Sequence, residues 1–284
     1  MRIGWIGVGV MGTRMVQRLI QAGHQLTLFN RSKKTLNTFK NQATLANSLD
    51  EITSNQDIII TMVGFPHDVK EIYDTLLKHV QPSTILIDMT TSSPVLAQFI
   101  YKQAQLKGIS FLDAPVTGGD IGAKEGTLTI MVGGEEKRFI QLKPIFDILG
   151  KNLVYMGGSG NGMKAKLANQ IAIAATITGL AESLHFAQQQ ELDLNQVLSI
   201  LNLGAAQSFQ SVIQGPKMIA GNVAAGFYIK HFQKDLSLAL ETSKTPLPMT
   251  YQAKSLYDWM VKKGYQDLGT QAVIEYFKNL SSSK

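Results

Sequence analysis

The chain has 284 residues, 17% of them charged and 44% hydrophobic. That excludes a disordered polymer and leaves room for the cores of two ordinary globular domains. Cysteine is absent, so disulfides and thiolate metal sites are excluded outright. The net charge of +6 is spread over scattered Lys and Arg, which suits small anionic ligands and argues against nucleic acid as a partner.

Met1-Arg2-Ile3-Gly4 runs straight into a strand pattern, without the apolar core of a secretory signal. No 18-residue apolar run follows: Ile171–Leu184 is interrupted by Thr176, Thr178, Gly179, Glu182 and Ser183. The expectation is a cytoplasmic protein with no membrane partner. Ile3–Ile6 reads as a strand, Met11–Gln21 as a helix closed by Gly23, and Gln25–Phe29 as a second strand. Asp57–Val63 and Thr84–Asp88 are short apolar runs of the kind buried on both faces. Helices fill the intervals: His67–His79, then one opened by the Ser93-Pro94 cap and stopped at Gly108. Ser110–Leu112 and Leu128–Val132 are further strands. This alternation implies βαβ units and a mainly parallel sheet.

Beyond about residue 156 strand signals vanish. Gly157–Gly162 reads as a hinge-like stretch. A long helix is expected from Met163 to about Gln190, apolar on almost every side from Ile171 to Ile177 and so buried all round, in a helical core or a subunit interface. Further helices are expected near Leu194–Leu203, Phe209–Ile219, Phe232–Thr245, Met249–Lys263 and Thr270–Lys278, with Ser281–Lys284 as a frayed tail. The expected fold class is therefore α/β: an N-terminal Rossmann-type, doubly wound, mainly parallel sheet over residues 1–160, then an all-α domain for substrate and dimerisation over 161–284.

Gly7-Val8-Gly9-Val10-Met11-Gly12 fits G-x-G-x-x-G between the first strand and its helix, the context a dinucleotide loop requires. Gly7 permits the turn, Gly9 lets the backbone approach a pyrophosphate, and Gly12 lets helix and strand pack closely. The second strand ends in Asn30-Arg31-Ser32. No carboxylate stands there to hold an NAD ribose, and Arg31 offers a fork for a 2′-phosphate, so NADP is expected ahead of NAD. A solvated surface arginine is the other reading. Val63-Gly64-Phe65 and Thr91 follow later strands, where ligands sit in such sheets, although ordinary turn chemistry explains each taken singly. Thr117-Gly118-Gly119 presents a hydroxyl and unshielded N–H groups that suit a carboxylate, and it reads equally well as a plain loop. Lys166, Asn169 and Gln170 share a helix face. A lysine beside two amides suits a partly buried amine whose pKa burial lowers toward a useful range; a solvated lysine is the alternative. Lys234-Asp235, preceded by Phe227, reads on its own as a solvated pair.

Together these residues resemble the β-hydroxyacid dehydrogenase family, which includes 3-hydroxyisobutyrate dehydrogenase, tartronate semialdehyde and glyoxylate/succinic semialdehyde reductases and, more distantly, 6-phosphogluconate dehydrogenase. The matching stretches are 7–12, Asp113-Ala114-Pro115-Val116-Thr117-Gly118-Gly119, Gly160-x-Gly162-x-x-x-Lys166-x-x-Asn169 and Lys234-Asp235-Leu236, in that order over nearly the whole chain. The resemblance implies a catalytic Lys166, with Asn169 and Gln170 positioning the substrate and Thr117, Gly118 and Gly119 binding its carboxylate. It implies Thr91 at the nicotinamide end, Lys234 as a cofactor contact, and Phe227 and Asp235 lining the substrate side. Asn30, Arg31, Ser32, Val63, Gly64 and Phe65 join the glycine loop as cofactor residues. The implied partner is a small carboxylate-bearing substrate, and no metal is implied; the apolar helix after Asn169, which one small helical domain can hardly cover, adds the expectation of a homodimer or homotetramer. Thr117 departs from the family's commoner serine, and Gln170 is asparagine in some subgroups; both bear on which acid is used. Imine reduction is the competing enzymatic reading, although relatives of that kind usually lack a lysine at the Lys166 position. A non-catalytic NADPH-binding module is the third.

Overall fold

Strands β1 (Arg2–Ile6), β2 (Gln25–Phe29), β3 (Thr44–Leu45), β4 (Ile58–Thr61), β5 (Ile85–Asp88), β6 (Ser110–Asp113), β7 (Val116–Thr117), β8 (Leu128–Gly134) and β9 (Gly150–Tyr155) form one sheet in the computed structural model, which describes residues 1–281. The order is β3-β2-β1-β4-β5-β6-β8-β7, with β9 on β8. Pairing is parallel from β3 to β6 and between β8 and β9, and antiparallel where β8 meets β6 and β7. The 3-2-1-4-5-6 order places the end of β1 at the reversal of strand order, where α/β sheets bind ligands.

Period-two alternation explains why these strands are apolar throughout. Ile58 and Ile60 of β4 join the core on one face of the sheet with Ile3, Trp5, Ile85 and Ile87. Ile59 joins the core on the other with Ile6 and Leu86. Helices Val10–Gln21 and Glu136–Leu149 cover the first face, and Pro66–His79 and Pro94–Gln105 the second.

The chain divides into two compact units, Met1–Lys166 and Leu167 onward. The second is helical, with no named strand among its described residues. Its core gathers Ile177, Leu184, Phe232, Tyr257, Met260 and Phe277. No helix of the described residues is long and apolar enough to cross a membrane.

Several elements differ from the sequence expectation. The helix expected over Phe209–Ile219 is two, Phe209–Ile213 and Gly215–Ile219, because Pro216 has no N–H to continue the first. The helix expected over Phe232–Thr245 runs Ile229–Thr242; Ser243 is extended, and Thr245 precedes Pro246. Thr270–Val273 is a 3₁₀ turn leading into the helix Ile274–Ser281. The long helix, Asn161–Gln189, is not buried all round within the chain: Ala168, Ala172, Ala175, Thr176 and Gly179 are exposed. Small residues count as apolar in a pattern but cost little in water. Residues Ser282–Lys284 of the tail lie outside the described residues.

Candidate functional site

The glycine loop is fixed from below. Gly7 N donates to Phe29 O at 2.9 Å, and Trp5 Nε1 donates to Gly7 O at 2.9 Å. A Cβ on Gly7 would collide with the Met62 carbonyl, and one on Gly12 with the Gly7 carbonyl. Those two glycines are required by packing. At Gly9 a Cβ would meet nothing within 4 Å. Close approach of a ligand backbone explains that glycine where protein packing does not. The helix Val10–Gln21 begins there, with Thr13 N donating to Gly9 O at 2.9 Å, so the N–H groups before Thr13 remain available to phosphate oxygens. Val10 is exposed, and Met11 packs against the core. These residues fit a dinucleotide.

Asn30 is half-buried and bonded within the chain. Its Oδ1 accepts from Val8 N at 3.0 Å, and its Nδ2 donates to Ser32 O at 2.9 Å and Thr35 Oγ1 at 3.0 Å. It ties the end of β2 to the glycine loop. Ser32, with extended backbone, stands at the N-cap position of the short helix Lys33–Leu36 and makes no side-chain bond to it. Arg31 is exposed, with its guanidinium 3.2 Å from Asp68 Oδ1. Asp68 is buried, and its Oδ2 accepts from Phe65 N at 3.1 Å at the start of the helix Pro66–His79. The sequence reading missed Asp68. An acid three residues after the residue preceding Pro66 is a capping position, and that signal was present.

The loops after β4 and β5 are bound to each other. Val63 N donates to Thr90 Oγ1 at 3.0 Å, Thr90 N to Asp88 Oδ1 at 3.0 Å, and Thr61 Oγ1 to Asp88 Oδ1 at 2.8 Å. Asp88 is 1% exposed. Burial pushes its pKa up to about 6, against hydroxyl and amide donors that pull it down, with the Asp113 charge adding to the rise. Gly64 and Thr91 sit in these two loops, at the carboxyl ends of their strands.

Thr117 ends β7, paired to Thr129 of β8. Gly118 and Gly119 follow with φ of 127° and 65°, which only glycine adopts readily, and begin the helix Gly119–Glu125. The stretch expected to be a hinge is instead pinned. Gly134 N donates to Gly157 O at 2.9 Å, and Gly160 N and Met163 N donate to the Asp113 carboxylate. Burial raises the pKa of that carboxylate, and the N–H donors pull it down. The sequence reading missed Asp88, and it placed Asp113 in a motif without assigning it a task. Each closes a largely apolar strand, Ile85-Leu86-Ile87-Asp88 and Ser110-Phe111-Leu112-Asp113, and an acid ending such a run was the signal.

Lys166 lies one turn into the long helix and is only 6% exposed, whereas Lys164 is exposed and bonds Asn161 Oδ1 at 3.0 Å. In the helical unit, Asn169 Nδ2 donates to Gln170 Oε1 at 3.0 Å, and Gln170 Nε2 donates to Asp235 Oδ2 at 2.7 Å. Lys234 Nζ lies 3.0 Å from Asp235 Oδ1. The Lys234-Asp235 pair is thus a buried ion pair, not a solvated one, with Asp235 at 0% exposure. Phe227 stacks on His231 and meets Phe232 edge-on. Asn169, Gln170, Lys234 and Asp235 are one connected network. The glycine loop, Arg31, Thr91, the Thr117-Gly118-Gly119 turn and Lys166 all belong to the first unit.

Residues 2–157 match the family described as the NAD binding domain of 6-phosphogluconate dehydrogenase, and residues 160–277 match the NAD-binding domain of NADP-dependent 3-hydroxyisobutyrate dehydrogenase. The chain is 42% identical to the uncharacterized oxidoreductase YkwC of Bacillus subtilis, over 95% of this chain and 96% of that one. It is 35% identical to 2-hydroxy-3-oxopropionate reductase of Escherichia coli, over 100% and 99%. The solved 3-hydroxyisobutyrate dehydrogenase of Mycobacterium tuberculosis, with L-serine, superposes with a TM-score of 0.88 at 26% identity, covering 97% of this chain and 98% of that one.

Proposed function

The chain belongs to the β-hydroxyacid dehydrogenase family and is an NAD(P)-dependent oxidoreductase, and within that family we propose that it uses NADP(H) on a small 3-hydroxy acid or its semialdehyde, with Lys166 as general acid and base. The observation that carries the reading is the burial of Lys166, 6% exposed, at the motif position that the family resemblance gives to the proton donor; lysine is rarely buried unless it is held by a partner, and a held amine kept from bulk water suits proton transfer.

Bound at the glycine loop, the nicotinamide supplies or accepts a hydride at the substrate's carbonyl or carbinol carbon. The residues of this chain do the rest. The N–H groups opening the helix Val10–Gln21 hold the pyrophosphate, and Arg31 holds the 2′-phosphate. Thr117 Oγ1 and the N–H groups of Gly118 and Gly119 hold the substrate carboxylate. Lys166 Nζ donates a proton to the oxygen that develops charge during reduction and accepts it back during oxidation, a role typically worth about 10²–10⁴-fold. Asn169 orients the substrate hydroxyl, and Gln170, buried and tied to Asp235, positions it by holding the Asn169 amide. Lys234 supplies a further contact to the cofactor. The names of the relatives, 3-hydroxyisobutyrate dehydrogenase and 2-hydroxy-3-oxopropionate reductase, support a substrate whose reacting carbon is β to a carboxylate.

The test is NADPH consumption with methylmalonate semialdehyde, tartronate semialdehyde, succinic semialdehyde, glyoxylate and a cyclic imine. The reading expects a β-oxo acid to be turned over fastest. Turnover of the imine alone would assign imine reduction. NADPH binding without turnover of any of the five would leave a binding module.

A further inference from the structure

Asp113 closes β6 as a fully buried carboxylate, 0% exposed. Its Oδ1 accepts from Gly160 N at 2.7 Å and its Oδ2 from Met163 N at 3.0 Å. Lys164 N donates to Gly160 O, so Gly160 is the residue that caps the long helix and Met163 is its third helical residue. In an ordinary capping box the side chains at these two positions satisfy each other's N–H groups. Glycine and methionine cannot do that. One carboxylate from a strand about fifty residues away does both jobs.

The packing around it is built for that carboxylate. A Cβ on Gly133, its register partner on β8, would sit 2.7 Å from Oδ1, and one on Gly162 would collide first with Met131 O and would sit 2.7 Å from the Asp113 carbonyl oxygen and 2.9 Å from Oδ2. Two glycines therefore let the backbone close on the acid from both sides. Four residues beyond Asp113 along the chain stands Thr117, and three beyond Met163 stands Lys166.

We propose that Asp113 is a positioning residue that fixes the spacing between the Lys166 ammonium and the Thr117-Gly118-Gly119 turn, and thereby selects substrates by the number of carbons between carboxylate and reacting carbon. This rests on the reading of Lys166 as proton donor and of the turn as carboxylate site. Holding both ends from one buried acid sets the reach at one value, because neither segment can shift without breaking a charge-assisted bond.

The experiment is Asp113→Asn. Asparagine keeps the shape but leaves one acceptor oxygen and points an N–H₂ at a second N–H. In cofactor-free protein, the amides of Gly160 and Met163 are expected to exchange with deuterium at least about tenfold faster, while core strands keep their protection. The kcat for a β-oxo acid falls about tenfold or more with KM for NADPH nearly unchanged, and the alkaline limb of the kcat–pH profile moves. The preference for methylmalonate semialdehyde over succinic semialdehyde, one carbon longer, shrinks at least about fivefold. A merely structural acid would lower both activities together, so an unchanged preference and an unchanged pH profile overturn the proposal. Gly133→Ala, whose Cβ would meet Oδ1 first, at 2.7 Å, pushes on the carboxylate without removing charge and must give the same change in preference if Asp113→Asn does not fold. Solvent-like exchange of the two amides in the unmodified protein also overturns it. Lys166→Met separates the two claims. Its near-normal turnover defeats the acid–base reading itself, whereas an inactive Lys166→Met beside an Asp113→Asn of unaltered preference defeats only the positioning.

Discussion

The two units bury their acids in different company. In the sheet unit, Asp88 and Asp113 face hydroxyls and backbone N–H groups, all of them neutral donors. In the helical unit, Asp235 faces an ammonium and an amide. Neutral donors orient loops well but leave the desolvation of the charge only partly compensated, which is why Asp88 titrates near 6 and Asp113 is raised. An ion pair compensates the charge but makes each partner depend on the other. The sheet unit therefore accepts pH-sensitive acids in exchange for fixed loops around its ligands, and the helical unit builds a network that fails if one member is removed.

Asp235→Ala should sharpen the contrast most. It removes the carboxylate that faces both the Lys234 ammonium and the Gln170 amide in a buried site and should destabilise the protein by about 3–5 kcal/mol, read from denaturant unfolding. A loss below about 1 kcal/mol would mean that the pair is solvated after all.

Asp88→Asn acts in the opposite direction. Asp88 has a folded pKa of about 6 against an ordinary 3.8, so the folded state binds the proton more tightly, and stability falls as pH rises from about 4 to about 6 and is flat above. Asparagine keeps an acceptor for Thr61 and Thr90 and carries no charge. The variant should be more stable than the parent at pH 8, by up to about 3 kcal/mol, with the difference gone near pH 4. Thermal melts across that range check it, and a variant less stable at pH 8 contradicts it.

Arg31→Ala should raise KM for NADPH roughly tenfold or more and leave KM for NADH nearly unchanged, as expected for loss of one charge-assisted contact to phosphate. Equal changes for both cofactors would remove Arg31 from discrimination.

His231 gives the smallest effect. Burial and the nearby Lys234 charge lower its pKa to about 4 from 6.5, so stability present above pH 6.5 is lost as pH falls through 4. His231→Gln should flatten that acid limb by less than about 2 kcal/mol, because the ring is partly in solvent. An unchanged acid limb would mean that the imidazole does not sense its neighbours.

Legibility in the sequence follows the same division. The glycine loop could be read because Gly7 and Gly12 are demanded by backbone contacts, and glycine is visible in any sequence. Apolar strands such as Ile58-Ile59-Ile60 could be read because both faces of a parallel sheet are covered. Strand β9, Gly150–Tyr155, could not, since several of its residues face solvent, nor could the helix Glu136–Leu149, which carries Pro144 inside it. Lys166 was legible as an odd lysine beside two amides, but its burial was one of two open readings. Asp113 was quoted within a motif yet given no task, because its partners lie about fifty residues away and no local pattern encodes them. The long helix was open between a helical core and a subunit interface: Ala172, Ala175 and Gly179 are exposed within the chain, which removes the first reading for them and does not bear on the second.

The central claim is that Lys166 moves the proton. Turnover of Lys166→Ala, measured with a β-oxo acid and accompanied by NADPH titration of the same preparation, tests it directly. The account predicts at least about a hundredfold loss of kcat with NADPH affinity within a few-fold of the parent. Turnover within a few-fold of the parent, at the same NADPH affinity, would contradict it.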